Sequence, residues 1–252
     1  MSEDYRTLKD ELRETPLTRM IEENLKKWCA DNNYLYVVRG AAGRDELDYQ
    51  YKLALEEQKI AEREKQTEEN RRRIEERKAE YYAEFCKKIP PRYRNASIAD
   101  LAMKESATKI LKGASALILG NNGAGKNHFI WALAREWARN GETVKVEKAQ
   151  ELLYRIKCQD DPYSYIRREY RESVMHLIVD EMDKIFESRA DFVYLNYLYD
   201  QRYEWMLQSI GVGNGDKDGF IAALGQSIYS RLTGEGGVYL QHKGEDRRKT
   251  AI

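Results

Sequence analysis

The most constraining feature of this chain is a junction. Apolar Ala116-Leu-Ile-Leu119 runs directly into Gly120-Asn-Asn-Gly-Ala-Gly125-Lys126-Asn127, and an amphipathic stretch follows to Arg139. Glycine, four residues, glycine and lysine between an apolar strand and a helix is the phosphate-loop pattern. It works because glycines let backbone N–H groups close on phosphate oxygens, while the helix N-terminus favours negative charge. Gly120, Asn121, Asn122, Gly123, Ala124, Gly125, Lys126, Asn127 and His128 are therefore the candidate nucleotide-binding residues, with Lys126 reaching the β and γ phosphates. The hydroxyl residue that usually follows the lysine is Asn127 here, so the Mg²⁺ contact falls to an amide oxygen or to water.

A second component lies downstream. His176-Leu-Ile-Val179-Asp180-Glu181 reads as a buried strand ending in two carboxylates. Beside a phosphate loop, Asp180 would support Mg²⁺ and Glu181 would polarise the attacking water, which makes ATP and Mg²⁺ the expected cofactors. With this strand counted as the β-rich run 174–179, further runs at 143–146, 209–213 and 238–241 and a helix from about Lys126 to Arg139 complete a strand-helix alternation. The prediction is an α/β fold: a five-stranded parallel sheet covered on both faces.

The front of the chain is different. From Glu56 to Glu80, 17 of 25 residues are charged and none is Gly or Pro, and Glu68/Arg72 and Glu69/Arg73 have helix-supporting spacing. Leu53, Ile60, Ile74 and Tyr81 share a heptad position, but Glu56, Arg63, Asn70 and Arg77 fill the matching one. A solvated spacer helix and a dimerisation zipper both stay open. Before it, Leu8, Leu12, Leu17, Met20, Ile21, Leu25 and Trp28 predict a small helical partner-binding module at 1–50. Ile89-Pro90-Pro91 cannot continue a helix, so the spacer is placed at 51–88 and the nucleotide domain at 89–252.

Between the second and third strands, Arg155, Lys157, Tyr165, Arg167, Arg168 and Arg171 interleave cations with flat rings. Single-strand binders need both, one to follow phosphates and one to stack bases; an ordinary surface helix is the alternative. A second aromatic run, Phe192 to Trp205, has helical spacing and reads as core. Lys plus Arg and Asp plus Glu balance at 43 each, which excludes nucleic-acid coating by charge alone. The 252 residues suffice for one such domain and an appendage. The three cysteines are far apart and the three histidines do not group with them, so no further metal site is predicted. The acidic start and the lack of a long apolar run predict a soluble cytoplasmic protein with no membrane partner.

Residues 88–250 resemble the DnaC-type replicative helicase loaders, a branch of the AAA+ ATPases that includes IstB-like transposition helpers. The resemblance rests on Ile89-Pro-Pro-Arg-Tyr-Arg-Asn-Ala-Ser97, the Gly-Lys126-Asn127-His128 ending of the loop, Asp180-Glu181 and Gly244-Glu-Asp-Arg247-Arg248. It implies that Asn214 is the sensor that bonds the γ phosphate or the water, and that Arg231 acts across a subunit boundary. It also implies self-association through the AAA+ domain, and single-stranded DNA and the replicative DNA helicase as partners. Where the family has an earlier Glu-Arg this chain has Gln226-Ser227, which leaves Arg231 alone and implies weak or partner-dependent hydrolysis. The chain ends close after the fifth strand, so no lid domain is expected. The resulting function is helicase loading; transposition assistance or an ATP-binding adaptor with negligible hydrolysis are the alternatives.

Overall fold

A computed structural model describes residues 40–100, 103–184 and 189–242, together with a few positions between 23 and 31. Most of the partner-binding module expected at 1–50, and the end of the chain beyond 242, lie outside these residues. The chain divides into two compact units, Met1–Arg73 and Ile74–Ile252.

In the first unit the described structure is chiefly the start of helix α1, Gly40–Lys88. Its side chains from Glu56 to Arg73 are exposed, Ile60 at 54% among them.

The second unit takes over the end of α1 and is built around a parallel sheet. The strands are β1 (Ala116–Gly120), β2 (Val144–Lys148), β3 (His176–Asp180), β4 (Gln208–Val212) and β5 (Val238–His242), in the order β2-β3-β4-β1-β5. Every neighbouring pair is parallel. The α/β prediction holds, with each strand ending within a few residues of its expected place and the helix Lys126–Arg139 at its expected bounds.

Alternation along the strands loads both faces. Ile118, Ile178, Ile210 and Val212 point into one core, with Ile110 of α2 (Lys104–Leu111) and Phe129, Ile130, Leu133 and Trp137 of α3 (Lys126–Arg139). Leu117, Leu119, Leu177 and Val179 point the other way. There they meet α4 (Ala149–Lys157), α5 (Pro162–Ile166), α6 (Arg189–Glu204) and α7 (Lys217–Thr233).

The last turns of α1 belong to the first of these cores. Phe85 is buried, Tyr81 accepts the Val144 N–H at 2.9 Å and so caps the first residue of edge strand β2, and Tyr82 lies against Arg135 and Arg139. Charge keeps the middle of α1 in water; three aromatic residues within about its last two turns fix its end.

Helix α5 passes into a π-helical turn, Arg167–Glu172, in which Ser173 Oγ donates to the Arg168 carbonyl at 2.6 Å. Arg202 of α6 anchors this segment from below. It is fully buried and donates from Nε to Ser209 Oγ (2.9 Å), from Nη1 to the carbonyls of Tyr170 and Val174, and from Nη2 to those of Met175 and Gln208. One guanidinium thus ties the π turn, the entry to β3 and the entry to β4 together without a carboxylate.

Candidate functional site: a cleft at the carboxyl ends of the strands

The loop that leaves β1 turns sharply over the end of the sheet. Gly125 takes a φ of 94°, a left-handed value that glycine adopts without strain, and directly precedes the first residue of α3. Gly120 lies so close to β5 that a Cβ there would overlap the carbonyl of His242. Glycine at these two positions lets the loop close while β1 and β5 keep their register through Gly120 and His242.

Parallel topology brings the ends of β1, β3 and β4 to the same edge, where α/β proteins bind ligands. The result is a cleft of about 520 Å³ lined by residues 122–128 of the loop, by Asp180, Glu181, Asp183 and Lys184, by Gly213 and Asn214, and by Arg92 and Tyr93. Lys126, only 7% exposed, donates to the carbonyls of Gly120 (2.6 Å) and Asn121 (2.9 Å) and to Asn214 Oδ1 (2.9 Å).

Asp180 is buried at the end of β3, and burial pushes its carboxyl above the ordinary value; the Glu181 N–H, donated to Oδ1 at 2.8 Å, and the charge of Lys126 pull against this. Glu181 follows with φ 57°, a left-handed conformation that is costly for a residue with a Cβ. Its carboxylate faces two lysines, Lys148 at 3.8 Å and Lys184 at 3.3 Å. Lys148 comes from the end of β2, in register with Asp180.

Of the candidates from sequence, the structure brings Asn122 to His128, Asp180, Glu181 and Asn214 into one cleft, with the backbone of Gly120 and Asn121 beneath Lys126. Arg231 is not among them. It lies near the starts of β1, β4 and β5, at the opposite end of the sheet, with Nε 2.9 Å from Asp200 and its guanidinium over the Tyr203 ring.

Sequence reasoning missed Asp183, Lys184, Lys148 and the lining role of Arg92 and Tyr93. Asp183 could have been noticed as a third carboxylate in Asp-Glu-Met-Asp; Lys148 could not, because only strand pairing carries it to Asp180.

The candidate nucleic-acid residues form a separate ladder. Arg167 donates to the Tyr197 hydroxyl (2.9 Å) and Arg171 to Gln201 (3.1 Å), with the Arg171 guanidinium 4.7 Å from the centre of the Trp205 ring. Tyr163 packs edge-on against Tyr194 and Tyr197. The two aromatic runs that sequence kept apart therefore make one surface. Arg155 pairs with Glu147 at 2.5 Å and Lys157 with Asp191 at 2.8 Å, while Arg168 projects furthest, over Tyr165.

A parallel sheet in this order, with a glycine loop over β1 and two carboxylates at the end of β3, has the arrangement of a P-loop α/β fold. The chain belongs to the IstB-like ATP binding protein family, whose profile matches residues 44–210. It is 27% identical over 154 residues to the replicative helicase loader DnaC of Buchnera aphidicola subsp. Baizongia pistaciae (strain Bp), covering 59% of this chain and 63% of that protein. It is 26% identical over 136 residues to YdaV of Escherichia coli (strain K12), covering 53% and 54%. The chain thus spans between half and two thirds of the curated relatives it matches. Among solved structures, DnaI is similar over 64% of this chain and 95% of its own, with a TM-score of 0.52 at 18% identity. AMPPCP-bound DnaA from Aquifex aeolicus is similar over 64% and 53%, with a TM-score of 0.52 at 16% identity. These likenesses are of fold. Among the described residues no helix is long and apolar enough to cross a membrane.

Proposed function

We propose that the chain is an ATPase that binds the replicative DNA helicase and delivers it to single-stranded DNA, acting in the cytoplasm. The observation that carries the nucleotide part is the convergence of Lys126, Asp180, Glu181 and Asn214 on one cleft of about 520 Å³, a size that accommodates a nucleotide. Partner and process are supported by the DnaC relative, a replicative helicase loader by name.

The residues fit ATP with Mg²⁺. Asp180 is a carboxylate whose burial disfavours its own charge, so a cation beside it is stabilising, and Asn127 shares the cleft with an amide oxygen to offer. Mg²⁺, when bound, neutralises charge on the β and γ phosphates. The loop N–H groups and Lys126 bind and orient the phosphates. Glu181, held by Lys148 and Lys184, orients the attacking water. Arg231 lies far from its own cleft, and the reading gives it a role on a neighbouring copy, which makes self-association part of the proposal. Arg155, Lys157, Tyr165, Arg167, Arg168 and Arg171 form the proposed DNA-facing segment, and the apolar stripe from Leu8 to Trp28 the holdfast for the helicase.

Co-purification of the full chain with the host's replicative helicase, and turnover measured with and without single-stranded DNA, test the reading together. Stable capture that Leu25→Asp or Trp28→Asp abolishes, with ATP binding intact, is the expected result. Failure to capture the helicase, with duplex distortion beside a transposase instead, would favour a transposition helper, the reading that the IstB-like family match supports. Binding of ATP without turnover under either condition would leave an adaptor.

A further inference from the structure

Asp183 grips Asn214 at two points. The Asn214 backbone N–H donates to Asp183 Oδ1 at 2.9 Å, and Asn214 Nδ2 donates to Asp183 Oδ2 at 2.8 Å. The contact follows from the topology: Asp183 lies in the short 3-10 turn Met182–Lys184 after β3, Asn214 just beyond β4, and the two strands are neighbours.

An ionised carboxylate only accepts hydrogen bonds and an ammonium only donates them. The end of the Asn214 amide that faces Asp183 must therefore be its nitrogen. The oxygen is turned the opposite way, where Lys126 Nζ donates to it at 2.9 Å. An asparagine amide has two ends of similar shape, and here partners of opposite kind fix it from both sides.

We propose that Asp183 is a positioning residue of the cleft: it holds Asn214 with its oxygen toward the nucleotide site. Asn214 then acts there as an acceptor, for the Lys126 ammonium and for a proton-bearing group such as the attacking water. One N–H of its NH₂ is committed to Asp183, so the end of the amide turned toward Lys126 is the oxygen and not the nitrogen. The inference rests on the reading of the cleft as an ATP site and specifies how one of its residues works.

The arrangement makes an unusual demand on variants. In Asp183→Asn the new amide can take the Asn214 backbone N–H with its oxygen and offer its own NH₂ to Asn214. That contact would turn the Asn214 amide over and aim its NH₂ at Lys126. A residue with a merely structural role would tolerate Asp183→Asn better than Asp183→Ala; an orienting residue would not.

The test uses the full-length protein labelled with ¹⁵N-asparagine, the Asn214 side-chain signals being those that disappear in Asn214→Ala. In the wild type one Nδ2 proton should exchange slowly, and Asp183→Ala should abolish that protection. Two Nδ2 protons exchanging as freely as those of a solvated amide would overturn the proposal without any variant, and so would protection that survives Asp183→Ala. In turnover assays Asp183→Ala should lower kcat by roughly 10–100-fold, with KM for ATP changed by less than about 3-fold, and Asp183→Asn should do no better. Adding Asp183→Ala to Asn214→Ala should cost little more; full additivity would mean that Asp183 acts elsewhere. If the wild type proves to have no turnover, the ATPase reading falls while the amide signals still decide the orientation.

Discussion

The ammonium of Lys126 lies 2.9 Å from Oδ1 of Asn214, 88 residues further along the chain. With the Gly120 and Asn121 carbonyls as its other acceptors, the lysine is folded back over its own loop, and its charge sits at the floor of the cleft. Phosphate oxygens are stronger acceptors than these neutral groups.

Lys126→Ala should therefore weaken ATP binding by at least about 100-fold, or about 3 kcal/mol, whereas Glu181→Gln should keep binding and lose turnover. Equilibrium binding of a fluorescent ATP analogue beside a phosphate-release assay separates the two. Equal affinity in wild type and Lys126→Ala would refute the assignment of the loop.

Asp180 gives a pH dependence with a definite sign. Burial raises its carboxyl above the ordinary value, so its contribution to stability is present at low pH and is lost as pH rises through the raised value. Asp180→Asn should raise the melting temperature of the nucleotide-free protein by roughly 2–4 °C at pH 8 and by much less near pH 3. The same variant should bind Mg²⁺-ATP more weakly. A melting temperature that falls at pH 8 would show that the charge is compensated within the chain.

Arg202 should be among the least replaceable side chains. Arg202→Met leaves Ser209 and the carbonyls of Tyr170, Val174, Met175 and Gln208 without their donor in a buried place. The expected loss is about 3 kcal/mol or more, read from urea unfolding.

The arginines of the proposed DNA-facing segment should behave unequally. Arg168 projects into solvent, so Arg168→Ala should reduce the salt slope of single-strand binding by about one, without loss of stability. Arg167 and Arg171 are bonded into α6, so Arg167→Ala and Arg171→Ala should lower thermal stability as well. Equal slopes for Arg168→Ala and wild type would move the contact elsewhere on the chain.

The parts whose meaning is local can be read from the order of residues. The run from Ala116 to Arg139 reads as strand, turn and helix because its signals are side-chain period, glycine and lysine at fixed offsets. Asp180 and Glu181 were legible for the same reason: an apolar run that closes on two adjacent carboxylates. The charged stretch of α1 was legible as a helix, but not where the helix begins, at Gly40, nor that Tyr81 and Phe85 fasten its end to the core. Which distant groups share a space depends on packing. The order β2-β3-β4-β1-β5 puts β3 between β2 and β4, which carries Asp183 to Asn214 and Lys148 to the side of Glu181. It also sends Arg231 to the far end of the sheet and joins the aromatic runs of α5 and α6. Hydrogen bonds act over about 3 Å, while the residues concerned are tens of positions apart, and no period or spacing in a chain encodes a distance that only packing creates.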